Sequence, residues 1–515
     1  MKWKGTAVAA FGLFAFTLPL AAEAKVDPRI FEGKGPEESA SFLVVMRGQA
    51  DLSGASSIRD KTEKRRFVYE ALRDEADQAQ AAIRSGLEAA GVPYRSFYLF
   101  NMIEVQGSRS LAQELANRED VAYLAANRPA RLKPRPRLLP EEAAEAAMNA
   151  SPRTQTAVEP NVALIRAPEV WARGFTGQGI VIGMADTGFK WDHPALEPHY
   201  RGFNGASVSH DYNWHDAVHN AQVTNPCGSN APAPCDDDSH GTATASLAVG
   251  DDGAGNQVGV APGAKIIGCR NMDEGNGTPA RYTECFQFFL TPTDHNGANP
   301  RPDLAADVIS NSWGCPASEG CTTPDILKGI VEIVRAAGIL VVVAAGNEGS
   351  ACETIDIPGL YEACLTVGAT TNSDVPAGFS SRGPVTADGS NRLKPDVCAP
   401  GVGLRVASLM GGFELGFSGT SGSTPEVAGA AALIWSVDRS LIGKPSETED
   451  LLRQTAVPVT IAQDCPPYPG SAVPNAVAGY GRIDVAAAVE VVAPLLRSTP
   501  NAVTHTQKPV VVAPR

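Results

Sequence analysis

Five short apolar runs constrain the fold most, because each is uninterrupted and is followed by sequence of helical or turn-rich pattern. They occupy residues 180–185, 265–268, 308–310, 339–344 and 364–367. Such runs of apolar and β-branched residues are typical of strands buried on both faces of a parallel sheet. Helical patterns, notably at 323–337 and 424–436, alternate with them. We therefore predict an α/β domain over residues 162–494, with a doubly wound, mostly parallel sheet flanked by helices.

The chain before that domain has a different pattern, and no cysteine precedes Cys227. Strand and helix signals alternate at residues 41–46, 62–90, 94–106, 110–117 and 121–125. This order predicts a small α+β domain of ferredoxin-like type over residues 25–130. A chain of 515 residues is long enough for two such folded units.

Residues 131–161 join the two predicted domains. Prolines at 134, 136 and 140 interrupt a basic run, and an Ala/Glu-rich stretch follows. We predict an exposed linker, where proteolytic nicking concentrates; an ordinary interdomain loop is the alternative. Residues 495–515 contain three prolines and no clear periodicity, which predicts a frayed C-terminal tail.

The first 24 residues have the pattern of a secretory signal peptide. Lys2 and Lys4 precede an apolar run at 7–20, and alanines flank Glu23 at the expected cleavage point. The run is too short for a stable membrane span, and an uncleaved N-terminal anchor is the alternative. A formal net charge of −14 disfavours nucleic acid as a partner, because phosphate binding needs a basic surface. We expect a secreted or periplasmic protein.

The even number of cysteines, ten, in an exported chain suggests disulfides. The chain contains no Cys-x-x-Cys pair, so metal binding by cysteine is disfavoured. Proximity in sequence suggests the pairs Cys227/Cys235, Cys315/Cys321 and Cys352/Cys364, which leaves Cys269/Cys285 and Cys398/Cys465. Sequence does not determine connectivity, so these pairs are hypotheses.

Four polar residues end predicted strands or begin predicted helices, where catalytic side chains are often found. Asp186 follows the first apolar run, His240 begins a helix of small residues, and Asn347 follows a strand. Ser421 lies at the start of the last long helix, where free N–H groups favour a developing anion. Taken singly, each residue is explained equally well by a turn, a cap or a structural contact. The acidic run at 236–238 beside His240 permits a metal site as another interpretation.

Together these segments resemble the subtilisin family of serine proteases. The shared motifs, in chain order, are Asp186-Thr-Gly, His240-Gly-Thr, Ser312-Trp-Gly, Ala345-Gly-Asn347 and Gly419-Thr-Ser421. The order Asp, His, Ser is the subtilisin order, and the resemblance covers roughly residues 160–492. The segments His193-Pro-Ala-Leu196 and Tyr200-Arg-Gly202 resemble the bacillopeptidase F-like branch of that family.

The resemblance implies an endopeptidase that cuts protein or peptide substrates through an acyl-enzyme. Ser421 would be the nucleophile, and His240 would be the general base and later the acid. Asp186 would hold the imidazole, and Asn347 would line the oxyanion hole with the backbone amide of Ser421. Gly422, Ser423 and Glu426 replace the family's usual Met, Ala and His near the nucleophile. None of the three is a triad member, so activity is expected to survive.

The resemblance also suggests how substrate and metal ions would bind. Ser312, Trp313 and Gly314 match the strand that pairs with substrate backbone. Asp356 aligns with the base of the pocket for P1, the side chain before the cut bond, where a carboxylate would favour Lys or Arg. A surface-loop acid is the alternative for Asp356. Calcium is common in the family, but residues 251–255 do not match its ligand pattern, so no metal residue is assigned. No cofactor is expected to be required for catalysis.

The domain at 25–130 resembles the family's inhibitory propeptide, which makes 131–161 the processing region of a zymogen. Two other functions stay open. One is a pseudoprotease that keeps the fold for binding, although an intact triad and Asn347 argue against it. The other is a metal-dependent hydrolase that uses the cluster from Asp236 to His240.

Overall fold

The computed structural model describes residues 25–132, 136–149, 158–315 and 327–493, so the predicted signal peptide and C-terminal tail lie outside it. The strands are β1 (Ala40–Met46), β2 (Tyr94–Phe97), β3 (Met102–Gly107), β4 (Val121–Ala126), β5 (Ala130–Arg131), β6 (Val181–Asp186), β7 (Trp214–Asp216), β8 (Lys265–Arg270), β9 (Met272–Asp273), β10 (Asn276–Gly277), β11 (Val308–Asn311), β12 (Leu340–Ala344), β13 (Leu365–Thr370), β14 (Val397–Pro400), β15 (Leu404–Ala407) and β16 (Phe413–Phe417). The helices are α1 (Lys61–Ala89), α2 (Arg109–Ala116), α3 (Pro140–Asn149), α4 (Pro160–Leu164), α5 (Ala167–Trp171), α6 (His240–Val249), α7 (Pro279–Leu290), α8 (Lys328–Ala336), α9 (Thr420–Val437), α10 (Pro445–Thr455) and α11 (Val485–Val492).

The N-terminal domain is an antiparallel sheet with strand order β2-β3-β1-β4 and two connecting helices. Its element order, β1-α1-β2-β3-α2-β4, is the ferredoxin-like arrangement of an α+β fold. Alternate residues of β1 point to opposite faces, so Phe42 and Val44 join Ile83 and Leu87 of α1 in one core. The single strand predicted at 94–106 is wrong, because a turn divides it into β2 and β3.

The second domain is built on a sheet whose described strands are all parallel, in the order β14-β13-β12-β11-β6-β8-β7. Ile182 and Val308 pack into the core that contains α9 and α11. Ile309 and Val341 pack on the opposite face against α7 and α8. Both faces are therefore buried, which confirms the predicted doubly wound sheet. The sequence did not predict the short strands β7 and β14.

The order of strands creates a crevice beside β6. Strands later in the chain extend from β6 in both directions, with β8 on one side and β11 on the other. Such a switch point is where open α/β sheets place their ligand sites, at the carboxyl ends of the strands. Helix α9 lies behind β11 to β13 and is buried along nearly its whole length. It begins at Thr420, four residues earlier than the sequence predicted.

Residues 131–161, predicted to be an exposed linker, contain helix α3, which packs on the second domain. The Glu142 carboxylate accepts a hydrogen bond from the backbone N–H of Gly378 at 2.6 Å. Ala146 is buried with Phe379 and Val402. This part of the region is therefore a docked element, held by both polar and apolar contacts.

The disulfides agree only partly with the pairs inferred from proximity. Cys227–Cys235 and Cys269–Cys285 are bonded, but Cys352 joins Cys465 across 113 residues. The pairs Cys352/Cys364 and Cys398/Cys465 are therefore wrong, and Cys364 and Cys398 are buried free thiols. Parallel strands bring residues distant in sequence together, so proximity along the chain is a poor guide. Cys315 is disulfide-bonded, but Cys321 lies outside the described residues.

Candidate active site

Asp186 is the last residue of β6 and lies buried at the switch point. Its Oδ1 accepts hydrogen bonds from Nδ1 of His240 and from the backbone N–H of Thr187, both at 2.8 Å. Its Oδ2 accepts from Oγ1 of Thr244 at 3.1 Å. These contacts fix the carboxylate on one edge of the imidazole, and because Nδ1 donates, Nε2 of His240 is left to act as a proton acceptor.

His240 is the first residue of α6 and is largely buried, with a side chain 12% exposed. Burial alone would lower its pKa, but the charge and hydrogen bond of Asp186, together with the charges of Asp238 and Asp236, outweigh burial and raise the pKa above its ordinary value. The ring lies 5.6 Å, centre to centre, from that of Phe417, at the end of β16. The imidazole is therefore confined between the end of β6 and the segment that leads to Ser421.

Asp236, which the sequence placed in an alternative metal cluster, instead holds the start of α6. Among the described residues it accepts five hydrogen bonds, with donors from Thr187, Asp238, Ser239 and Thr242. Asp237 is paired with Arg270 at 3.0 Å and with Asn225 at 2.6 Å. Protein donors thus occupy both oxygens of Asp236 and Oδ2 of Asp237, which argues against the interpretation of residues 236–240 as a metal-ligating cluster. Sequence reasoning missed this structural role, although an aspartate preceding a helix start is a common capping signal.

Ser421 is the second residue of α9, and Gly419 precedes that helix with φ of 146°, a conformation that favours glycine. The Ser421 hydroxyl donates to the carbonyl of Ser312 at 3.0 Å, and the Ser312 hydroxyl donates to the carbonyl of Ser421 at 3.0 Å. This reciprocal pair ties the start of α9 to the end of β11. The nucleophile predicted from sequence therefore lies at the same edge of the sheet as Asp186 and His240.

Asn347 follows β12 and has a fixed amide orientation. Its Oδ1 accepts from the backbone N–H of Thr420 at 2.9 Å and from the Thr420 hydroxyl at 3.0 Å. A backbone N–H can only donate, so the contacted atom must be the amide oxygen. The Nδ2 group consequently points away from Thr420 and can donate to another acceptor near Ser421.

A cavity beside Ser421 collects the residues that the sequence assigned to substrate binding. It is lined in part by Ser312, Trp313, Gly314, Asn347 and Asp356, and also by Leu132. Trp313 is buried and stacks on Tyr282 with ring centres 3.8 Å apart. Asp356 is only 6% exposed, which excludes the alternative of a surface-loop acid. It lies against Gly346, whose Cβ, if present, would be 2.4 Å from the Asp356 carboxylate.

The end of the N-terminal domain enters this cavity, which the sequence did not predict. Strand β5 pairs antiparallel with β10, and the backbone N–H of Leu132 donates to the carbonyl of Gly275 at 2.6 Å. Residues 275–277 therefore also bind extended backbone in the cleft. Their short Gly-Asn-Gly sequence carries no strand signal, so only the fold reveals this role.

The fold and the site define a doubly wound α/β protein with a hydrogen-bonded Asp–His pair and a serine at a helix start, all at the carboxyl edge of its sheet. The sequence profile of the subtilase family matches residues 177–481. The chain therefore belongs to the subtilase family. In the described part of the chain, no helix is long and apolar enough to cross a membrane.

Three similar proteins of Bacillus subtilis (strain 168) support this assignment. Bacillopeptidase F is 32% identical over 470 residues, which are 89% of this chain and 30% of that protein. Serine protease AprX is 34% identical over 313 residues, 56% of this chain and 64% of its own length. Subtilisin E is 32% identical over 278 residues, 53% of this chain and 60% of its own length. The chain thus spans less than two thirds of each of these relatives.

Proposed function

We propose that the chain is a serine endopeptidase that hydrolyses peptide bonds through an acyl-enzyme, with Ser421, His240 and Asp186 as its triad. The observation that carries the proposal is the 2.8 Å hydrogen bond from His240 Nδ1 to the buried Asp186 carboxylate. It directs Nε2, as proton acceptor, toward the edge where Ser421 begins α9. The names of the similar proteins, which include a serine protease and subtilisins, support the same activity.

Each of the three triad side chains has a defined role in the hydrolysis of a peptide bond. The Ser421 hydroxyl rotates from the Ser312 carbonyl toward His240, gives its proton to Nε2 and attacks the substrate carbonyl carbon. Asp186 stabilises the imidazolium, which then protonates the leaving amine as the peptide C–N bond breaks. Water, deprotonated by His240, hydrolyses the ester and restores the serine. These steps use side chains and water alone, so we expect no cofactor requirement.

The developing oxyanion would be stabilised by two donors. One is the backbone N–H of Ser421, in the first turn of α9, where N–H groups have no helical acceptor. The other is Nδ2 of Asn347, oriented by the contacts of its Oδ1 with Thr420. Donors held before the reaction need no reorganisation when charge develops, which is why they lower the barrier.

Reaction with a fluorophosphonate tests the proposal directly. The active protein is expected to be labelled at Ser421, as mapped by peptide mass spectrometry, and to hydrolyse casein. A pseudoprotease would show neither result. A metal-dependent hydrolase would lose activity to chelators and remain indifferent to the reagent, which would contradict the proposal.

The pH dependence of activity follows from the environment of His240. His240 can accept a proton only when its imidazole is neutral, and the pKa of His240 lies above the ordinary value of 6.5. We therefore expect kcat/KM to fall as the pH decreases, with a midpoint above 6.5. Peptide hydrolysis measured from about pH 5 to about pH 9 gives the midpoint. Circular dichroism at each pH separates titration from unfolding, and a midpoint below the ordinary value would contradict the expected effect of Asp186.

The proposal extends to a zymogen in which the N-terminal domain is an inhibitory propeptide, preceded by an export signal. Its Arg65 is buried and reaches Asp307 of the second domain at 2.9 Å, and Lys61 reaches the same carboxylate at 2.7 Å. Although burial raises the pKa of Asp307, the two cations lower it more. Gln287 accepts hydrogen bonds from the backbone of Tyr98 at 3.0 Å, and Arg95 pairs with Glu284. These contacts hold the N-terminal domain against the second domain, beside the cleft that β5 and Leu132 enter.

Arg65→Ala is expected to weaken inhibition, because it leaves the buried Asp307 with one cation fewer. Loss of one partner from a buried charge pair costs several kcal/mol, so we expect the cleaved domain to dissociate at least about tenfold faster. Size-exclusion chromatography after processing, with casein hydrolysis measured in parallel, gives the rate. Arg84→Ala, which removes a more exposed α1 cation paired with Asp77, is the control. Equal dissociation rates in the two variants would refute the assigned contact.

A further inference from the structure

The chain passes through the cleft in the orientation of a substrate. Residues 130–131 pair with β10, and Leu132 lines the same cavity as Ser312 and Ser421. The Leu132 side chain lies against Gly275, whose Cβ, if present, would be 3.3 Å from that of Leu132. Extended backbone pairing followed by a side chain in a pocket beside the nucleophile is the arrangement that places a carbonyl for attack.

Beyond the cleft, the chain binds the second domain instead of the N-terminal one. Helix α3 begins eight residues after Leu132, and Glu142 accepts hydrogen bonds from the N–H groups of Gly378 and Leu139. Glu145 accepts from the N–H of Asn372. Because a carboxylate that accepts backbone N–H groups makes charge-assisted bonds, these contacts are stronger than neutral ones.

Helix α3 also packs on the segment that supports the nucleophile. Ala146 lies against Gly403, whose Cβ, if present, would be 2.5 Å from the Ala146 Cα, so only glycine permits this approach. The backbone N–H of Gly403 donates to the hydroxyl of Ser418 at 2.9 Å, three residues before Ser421. Residues up to β4 thus belong to the N-terminal domain, residues 130–132 bind β10 in the cleft, and α3 packs on the second domain.

We propose that the chain first cuts itself at the carbonyl of Leu132, and that α3 remains bound as the N-terminal helix of the processed enzyme. This rests on the proposed function. Ser421 Oγ bonds to the Leu132 carbonyl carbon, the C–N bond to the next residue breaks, and His240 passes the serine proton to the new amine. Water then releases residues 25–132 as a carboxylate. The processed enzyme begins at residue 133.

The proposed cleavage site predicts which P1 side chain the Asp356 pocket accepts, because Leu132 lies between two basic residues, Arg131 and Lys133. If Asp356 selected basic side chains, the cut would follow Arg131 or Lys133, one residue to either side. The structure instead places leucine in the cavity that Asp356 lines. The pocket therefore accepts an aliphatic P1 side chain in spite of the nearby carboxylate.

N-terminal sequencing and intact mass of the first processed species from the full chain test the site. A start at Lys133 supports it; a start at Leu132 or Pro134 means basic P1 selection and overturns it. Leu132→Asp places a second carboxylate beside Asp356 and should slow processing about 100-fold, whereas Leu132→Met, which keeps an apolar side chain, should stay within about threefold. Equal rates for Leu132→Asp and Leu132→Met would also overturn the proposal.

Retention of α3 is tested on the processed enzyme. The N-terminus of the processed enzyme is expected to persist on incubation. The Glu142→Gln variant should lose its N-terminal segment about tenfold faster, because the Glu142 carboxylate holds α3 on the second domain. Glu141→Gln, an exposed neighbour on the same helix, is the matched control. Loss of residues 133–149 as fast as the first cut would refute retention. An enzyme labelled by fluorophosphonate at Ser421 but starting elsewhere would refute this site and leave the proposed function intact; absence of labelling and processing would refute the function itself.

Discussion

Ser421→Ala is expected to abolish peptide hydrolysis, with kcat lowered roughly 10⁶-fold, a magnitude that comes from the triad serine of subtilisin itself. The residual rate would come from substrate binding and the oxyanion donors, which the substitution leaves in place. Within the described residues the Ser421 hydroxyl makes one hydrogen bond, to the Ser312 carbonyl, so its removal should leave the fold unchanged. Fluorophosphonate labelling, casein hydrolysis and the mass of the purified chain measure the three consequences: no label, no hydrolysis and no self-processing.

Ser423→Ala is the matched control for that variant. Ser423 lies on the same helix, is fully buried, and its hydroxyl donates to the carbonyl of Ala399 at 2.9 Å. It should retain labelling and activity within a few-fold, because it contacts no reacting atom. Labelling retained by Ser421→Ala at another serine would contradict the assignment of the nucleophile.

Asn347→Ala is expected to lower kcat by about 10²–10³ with little change in KM, because its Nδ2 would donate to charge that exists only in the transition state. The magnitude again comes from subtilisin, a member of the same family. Steady-state kinetics on a peptide substrate separate the two constants. A rise in KM at unchanged kcat would mean that Asn347 binds substrate and does not stabilise the oxyanion.

The control for Asn347 addresses its second role, because its Oδ1 also accepts from Thr420. Thr420→Val removes one of those two donors and keeps the backbone bond. It should cost less than about tenfold in kcat, since the amide stays oriented. A loss as large as that of Asn347→Ala would show that the structural contact, rather than the oxyanion donor, limits the rate.

Much of the fold could be predicted from local pattern. The runs that became β6, β11 and β12 are apolar on both faces because helices cover both sides of the sheet, so burial leaves a direct trace in the sequence. The pattern failed where that trace is weak. Strand β7 has three residues, of which two are polar, and β14 ends in a proline, so neither forms a clear apolar run. The turn between β2 and β3 contains apolar residues that continue the strand signal.

The candidate site divides in the same way. Asp186, His240, Asn347 and Ser421 could be proposed because each ends a strand or begins a helix, and because their order matches a known family. The resemblance also implied that Asp186 holds the imidazole, but the surrounding contacts, such as the pair of hydrogen bonds between Ser312 and Ser421, could not be proposed. Asp236 looked like a metal ligand until its carboxylate was found to accept five protein donors.

The sequence by itself determined the parallel α/β core, the ferredoxin-like N-terminal domain, the family and the order of the triad, because burial periodicity and motif order are local properties. Only the tertiary structure decided that Cys352 pairs with Cys465, that Asp356 is buried, and that Leu132 lies beside Ser421. The disulfide joins residues 113 positions apart, and Leu132 and Ser421 are about 290 positions apart, so the packing of whole elements rather than any local signal brings them together.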